Sequence, residues 1–65
     1  MKNRIKEYRA QHNLTQSKLA ELAGLHPVTV RKLELDNRDP TLLAAWKIAK
    51  VFKVQIEDIF MLEEE

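Results

Sequence analysis

The chain has no cysteine, one serine, one glycine and two prolines. Without thiols there is neither a disulfide staple nor a thiolate metal cage. With so little glycine there is no phosphate-cradling loop, and an all-β fold would lack the turn residues that punctuate it. The longest apolar run, residues 42–46, falls far short of the roughly 20 residues needed to span a bilayer, and the opening MKNRIKEYR has no apolar stretch of a signal peptide. These absences lead to the expectation of a cytoplasmic protein with no membrane partner. Catalytic groups are equally scarce. Ser17 is the sole serine, and His12 and His26 lack the spacing of a metal pair with nearby carboxylates, so no enzyme activity, cofactor or metal site is expected.

Of the 65 residues, 45% are apolar, about 29 side chains, enough for one small core and hence a single domain over residues 1–65. Ala, Leu, Lys and Glu dominate the composition, which favours helices. The formal charge of +1 conceals a division: residues 1–38 carry eight Lys/Arg against four acids, and residues 39–65 carry three against six. A basic front half and an acidic rear fit nucleic-acid contact better than membrane contact.

Periodicity and capping signals predict an all-α, compact five-helix bundle. A first helix over residues 2–11 places Ile5, Tyr8, Arg9 and His12 on one stripe, and Asn13 ends it in a left-handed turn. Thr15 caps a second helix that runs to Ala23, with Leu19, Leu22 and Ala23 inward, and Gly24 stops it. Pro27 suits the first turn of a third helix, in which Val30 and Leu33 face one way and Val28, Arg31, Lys32 and Leu35 the other. Residues 36–40 read as a loop. Thr41 caps a fourth helix to about Phe52 that buries Leu42, Ala45, Trp46, Ile48, Ala49 and Phe52, and Gln55 opens a fifth reaching residue 62.

Residues 16–35 are therefore two helices joined by a tight glycine-containing turn, the helix-turn-helix arrangement that can set a second helix into the DNA major groove. Several motifs converge on this reading. LTQSKLAELAGL (residues 14–25), the spacing of Val30, Leu33 and Glu34, and Asp39-Pro40-Thr41-Leu42 are three; Trp46-Lys47-Ile48-Ala49 and residues 54–60 (VQIEDIF) complete the set. With them the sequence resembles the phage-repressor-like helix-turn-helix family, the Xre or Cro/repressor type, from about Ile5 to Phe60. The resemblance implies a lambda-repressor-like domain that binds double-stranded operator DNA, usually as a dimer.

The resemblance also implies roles for residues. Gln16, at the start of the second helix, matches a phosphate clamp, and the positive helix end supports that role. Pro27, Val28, Thr29 and Lys32 match base-contacting positions. Lys32 can donate to guanine O6 or N7, and Val28 can pack on a thymine methyl. Relatives often carry polar residues where this chain has Pro27 and Val28, which leaves Lys32 and Arg31 as the polar readers. His26 stands where relatives place a Ser or Thr cap and is within reach of a phosphate; Asn37 and Arg38 resemble a backbone-contacting loop. Arg9 and Glu34 match positions that relatives pair across the first and third helices, an expected ion pair that fixes the presentation of the third.

The run Ile59, Phe60, Met61 and Leu62 is longer than the fifth helix's inward stripe needs. An exposed part of it would form a twofold homodimer interface, placing two reading helices about 34 Å apart on an inverted repeat. Together these features predict a transcriptional regulator, a repressor by expectation. The alternative is an antitoxin-like module that neutralises a small protein partner through an apolar face including Val28 and Leu35, binding DNA secondarily.

Overall fold

A computed structural model describes residues 1–35 and 38–61. Among these residues, five helices and one short strand pair occur in the order β1 (Lys2–Asn3), α1 (Ile5–Gln11), α2 (Gln16–Ala23), α3 (Pro27–Leu35), α4 (Leu42–Phe52), α5 (Ile56–Ile59) and β2 (Phe60–Met61).

The helix ends follow from side-chain chemistry. Thr15 Oγ1 accepts the Lys18 N–H at 3.0 Å, and Thr41 Oγ1 accepts the Ala44 N–H at 3.0 Å, each relieving an orphan donor of a first turn. Gly24 takes φ 67°, and the Leu25 N–H turns back to the Ala20 carbonyl at 2.9 Å. Asn13 (φ 55°) and Lys53 (φ 57°) adopt the same left-handed conformation after α1 and α4. The Asp58 carboxylate reaches back to the Gln55 N–H at 2.9 Å to open α5.

Ile5, Leu19, Val30, Ile48 and Ile59 are fully buried at the centre, with Ala20, Leu33, Ala45, Ala49, Phe52 and Phe60 packed around them. Small residues at Ala20, Ala45 and Ala49 let α2 and α4 approach closely. Tyr8 and His12 lie over Phe52, with ring centroids 5.3 and 5.0 Å away.

Three expectations are corrected. The first helix begins at Ile5, because Lys2 and Asn3 pair antiparallel with Met61 and Phe60. Correspondingly, α5 stops at Ile59: Phe60 is extended (φ −106°, ψ 122°), and the Ile59 carbonyl accepts the Arg4 N–H at 2.8 Å. The inward set also differs, since Leu22 is 52% exposed, Leu42 79% and Trp46 50%, while Ala44 is buried in their stead. Apolar residues occur all round α4, so its period alone does not choose the face that neighbouring helices cover.

Candidate DNA-binding surface

The surface is built around α3. Val30 and Leu33 anchor that helix in the core, which leaves Pro27, Arg31, Lys32 and Leu35 exposed and Val28 and Thr29 half-buried on its outer side. Two shallow clefts flank this side. One, of about 180 Å³, is lined by Gln16, Ser17, Pro27, Val28 and Arg31. The other, of about 280 Å³, is lined by Val28, Thr29, Lys32, Arg38, Pro40 and Thr41, among others. Val28 belongs to both, so the amino-terminal end of α2, the outer face of α3 and the approach to α4 form one continuous surface.

Seven residues singled out in the sequence thus come together: Gln16, Pro27, Val28, Thr29, Arg31, Lys32 and Arg38. His26 sits at the start of α3 and serves as its cap, Nδ1 accepting the Val28 N–H at 3.1 Å. The remaining ring donor is then Nε2–H. Asn37 and Leu62 lie outside the described residues. Ile59 and Phe60 are spent on the core, at 0% and 5% exposure, and Met61 is half-buried opposite Lys2. Within the described part of this run, Ile59 and Phe60 are taken up by core packing and Met61 by strand pairing, so Ile59 and Phe60 offer no exposed contact to a second copy.

Two fixtures hold α3 in place. Arg9 grips Glu34 with both arms of its guanidinium: Nε donates to Oε2 and Nη2 to Oε1, each at 2.8 Å, while Nη1 donates to the Leu14 carbonyl at 2.9 Å. Both side chains are largely buried, at 15% and 8% exposure. The Glu34 hydrogen bonds raise the Arg9 guanidinium above its ordinary range, burial opposes them, and the carboxylate's charge adds to the rise. Beside Glu34 in the same last turn of α3, Asn3 Nδ2 donates to the Leu33 carbonyl at 2.9 Å, and Asn3 Oδ1 accepts the Ile5 N–H at 3.2 Å. One amide thereby ties β1, α1 and the last turn of α3 together.

Sequence reasoning missed Asn3, Ser17, Pro40 and Thr41 as parts of this assembly. Ser17 follows Gln16 directly and Thr41 was legible as a cap, so position along the chain was the available signal for both. Asp39 also lines the second cleft, and the amino-terminal ammonium of Met1 lies 3.1 Å from its carboxylate, offsetting a negative charge beside Lys32 and Arg38. Among the described residues no group of three or more His, Cys, Asp or Glu is placed to hold a metal ion, and no helix is long and apolar enough to cross a membrane.

Comparison with known proteins agrees with this geometry. A family model described as helix-turn-helix matches residues 5–59. An HTH-type transcriptional regulator from Methanocaldococcus jannaschii is 51% identical over 65 residues, covering 100% of this chain and 98% of the relative. Among solved structures, the N-terminal DNA-binding domain of SinR from Bacillus subtilis superposes with a TM-score of 0.78 at 29% identity, over 83% of this chain and 80% of that one. The restriction-modification controller protein C.AhdI from Aeromonas hydrophila gives a TM-score of 0.79 at 30% identity, over 88% and 86%.

Proposed function

This chain belongs to the Xre/Cro-type helix-turn-helix family of DNA-binding transcriptional regulators, and from that premise we propose that it is a repressor whose α3 enters the major groove of an inverted-repeat operator, one copy per half-site. The observation that carries this reading is the continuous outer surface of α3, bordered by Gln16 on one side and Arg38 on the other.

Its parts divide by chemistry. Lys32 and Arg31 point donors at base edges, where guanine presents two acceptors. Val28 and Pro27 supply apolar contact, Val28 against a thymine methyl, and Thr29 serves either purpose. Gln16 at the positive end of α2 takes a phosphate oxygen, Arg38 takes one from the opposite strand, and His26 Nε2–H and Asn37 add backbone contacts. With few hydrogen-bonding readers on α3, groove shape carries a large share of the specificity. Occupancy of the operator then blocks polymerase.

Two substitutions separate the roles. Lys32→Ala is expected to weaken binding by about 1–3 kcal/mol and to relax preference at one base position. Arg38→Ala weakens all sequences alike and reduces the salt slope by about one unit. Selection of bound sites from random duplexes, followed by anisotropy titrations at several salt concentrations, checks both. Unchanged affinity in both variants would discard this docking.

Leu35 favours a second reading. It is 74% exposed at the end of α3, an apolar residue with no evident use on a phosphate. An antitoxin-like protein would use Leu35 and Val28 to grip a small partner, and co-purification of that partner at fixed stoichiometry distinguishes this reading from the first.

A further inference from the structure

One concave apolar surface takes no part in the proposed DNA contact. Between α2 and α4 runs a groove of about 430 Å³, lined by Leu22 and Ala23 of α2 and by Trp46, Lys47, Lys50 and Val51 of α4. Leu22 and Trp46 are half exposed, Val51 is half-buried and Ala23 is buried, so apolar side chains stand on both helices. The groove shares no lining residue with either cleft beside α3; occupying it covers none of the residues assigned to DNA there.

Its charge has one sign. Lys47 and Lys50 border it, and no acidic side chain among the described residues lines it. Glu21, next to Leu22, is engaged by Lys18 at 3.3 Å. The pattern is legible along the chain as well. Residues 39–65 hold three Lys/Arg against six acids, yet α4 contains no acid, and all three cations are Lys47 and Lys50 on it and Lys53 at its cap. Favourable placement at the end of a helix accounts for Lys50 and Lys53, but not for Lys47 in mid-helix or for the apolar groove beside it.

We infer that this groove docks an acidic amphipathic helix of a partner protein. Two packed helices offer a trough that takes the apolar stripe of a third, and lysines on its border match carboxylates flanking that stripe. Nucleic acid fits less well. The Lys50 ammonium lies 4.9 Å from the centre of the Trp46 ring and covers one of its faces, while Leu22, Ala23 and Val51 are aliphatic and give no stacking surface for bases.

Trp46 is the sole tryptophan, so its emission reports the groove directly. The probe is a synthetic helical peptide of about four turns, with Leu and Phe at i, i+4 spacing on one face and Glu on its flanks. Added to the full chain, it is expected to shift Trp46 emission to the blue and to saturate, and anisotropy of a labelled copy gives the affinity. Leu22→Ser, a change at a half-exposed side chain, weakens peptide binding about tenfold or more, with native circular dichroism and wild-type affinity for a random-sequence duplex. The double variant Lys47→Glu with Lys50→Glu loses the peptide to the same extent, about tenfold or more, and instead takes a version with Lys in place of Glu. No saturable shift, equal affinity for a scrambled peptide of the same composition, or equal affinity in Leu22→Ser would overturn the inference. So would loss of duplex binding in Leu22→Ser, which would place the groove within the DNA contact. A stronger response to oligothymidylate, to phosphatidylserine vesicles or to raised protein concentration alone would also overturn it, assigning the groove to a single strand, a membrane or a second copy respectively.

Discussion

Arg9 and Glu34 are the residues on which the presentation of α3 turns. Two charge-assisted hydrogen bonds at 2.8 Å in a largely buried setting make each partner the solvation of the other. Arg9→Met therefore strands a carboxylate and is expected to destabilise the fold by about 3 kcal/mol, whereas Arg9→Met with Glu34→Leu recovers most of the loss. Urea midpoints at constant slope give the comparison; equal losses in single and double variants would show that packing rather than charge pairing holds the helix. The pH behaviour follows from the raised Arg9 value. A cation held above its ordinary pKa contributes stability that is full below the ordinary arginine range and lost only as pH rises through the raised value, so the Arg9 contribution is undiminished at neutral pH. Both residues were legible because each sits at the edge of an apolar stripe. Asn3 was not, because its bond to the Leu33 carbonyl reaches 30 residues along the chain and leaves no local pattern.

The helices themselves were readable from caps and period: Thr15, Gly24, Pro27 and Thr41 mark boundaries within a residue of those observed. The strand pair was invisible because two-residue strands show no alternation, and the register of residues 2–3 with 60–61 depends on the tertiary fold bringing the two ends together. One boundary carries a stored strain. Lys53 occupies the left-handed position after α4 at φ 57°, where Gly24 serves the equivalent turn after α2 at φ 67°. A left-handed side-chain-bearing residue costs roughly 1–2 kcal/mol, and glycine returns part of that relief through its freer unfolded chain. Lys53→Gly is thus expected to stabilise by about 0.5–1 kcal/mol, which in a domain of this size raises the melting temperature by roughly 2–8 °C. A melt showing no gain would mean that the Lys53 side chain contributes more than its backbone strain.

At the scale of the whole molecule, the helix-turn-helix was legible because period, caps and turn agreed along residues 14–35. The outer face of α4 was not, because Leu42 and Trp46 look the same in sequence as the apolar residues that enter the core. The charge distribution gives the two-copy arrangement a quantitative signature. With a net charge of only +1, long-range attraction to DNA is small, and salt dependence reports the cations at the contact itself. Arg31, Lys32 and Arg38 are the cations lining the two clefts beside α3. If each copy releases about two to three counterions, the slope of log K against log salt is roughly −2 to −3 for one copy on a half-site and −4 to −6 for two on an inverted repeat. A fourfold rise in salt then weakens the two-copy complex about a thousandfold, and the same rise weakens a single copy on an isolated half-site about thirtyfold. Equal slopes on the full repeat and on an isolated half-site would mean that a single copy makes the whole contact, and the operator would then carry no need for symmetry.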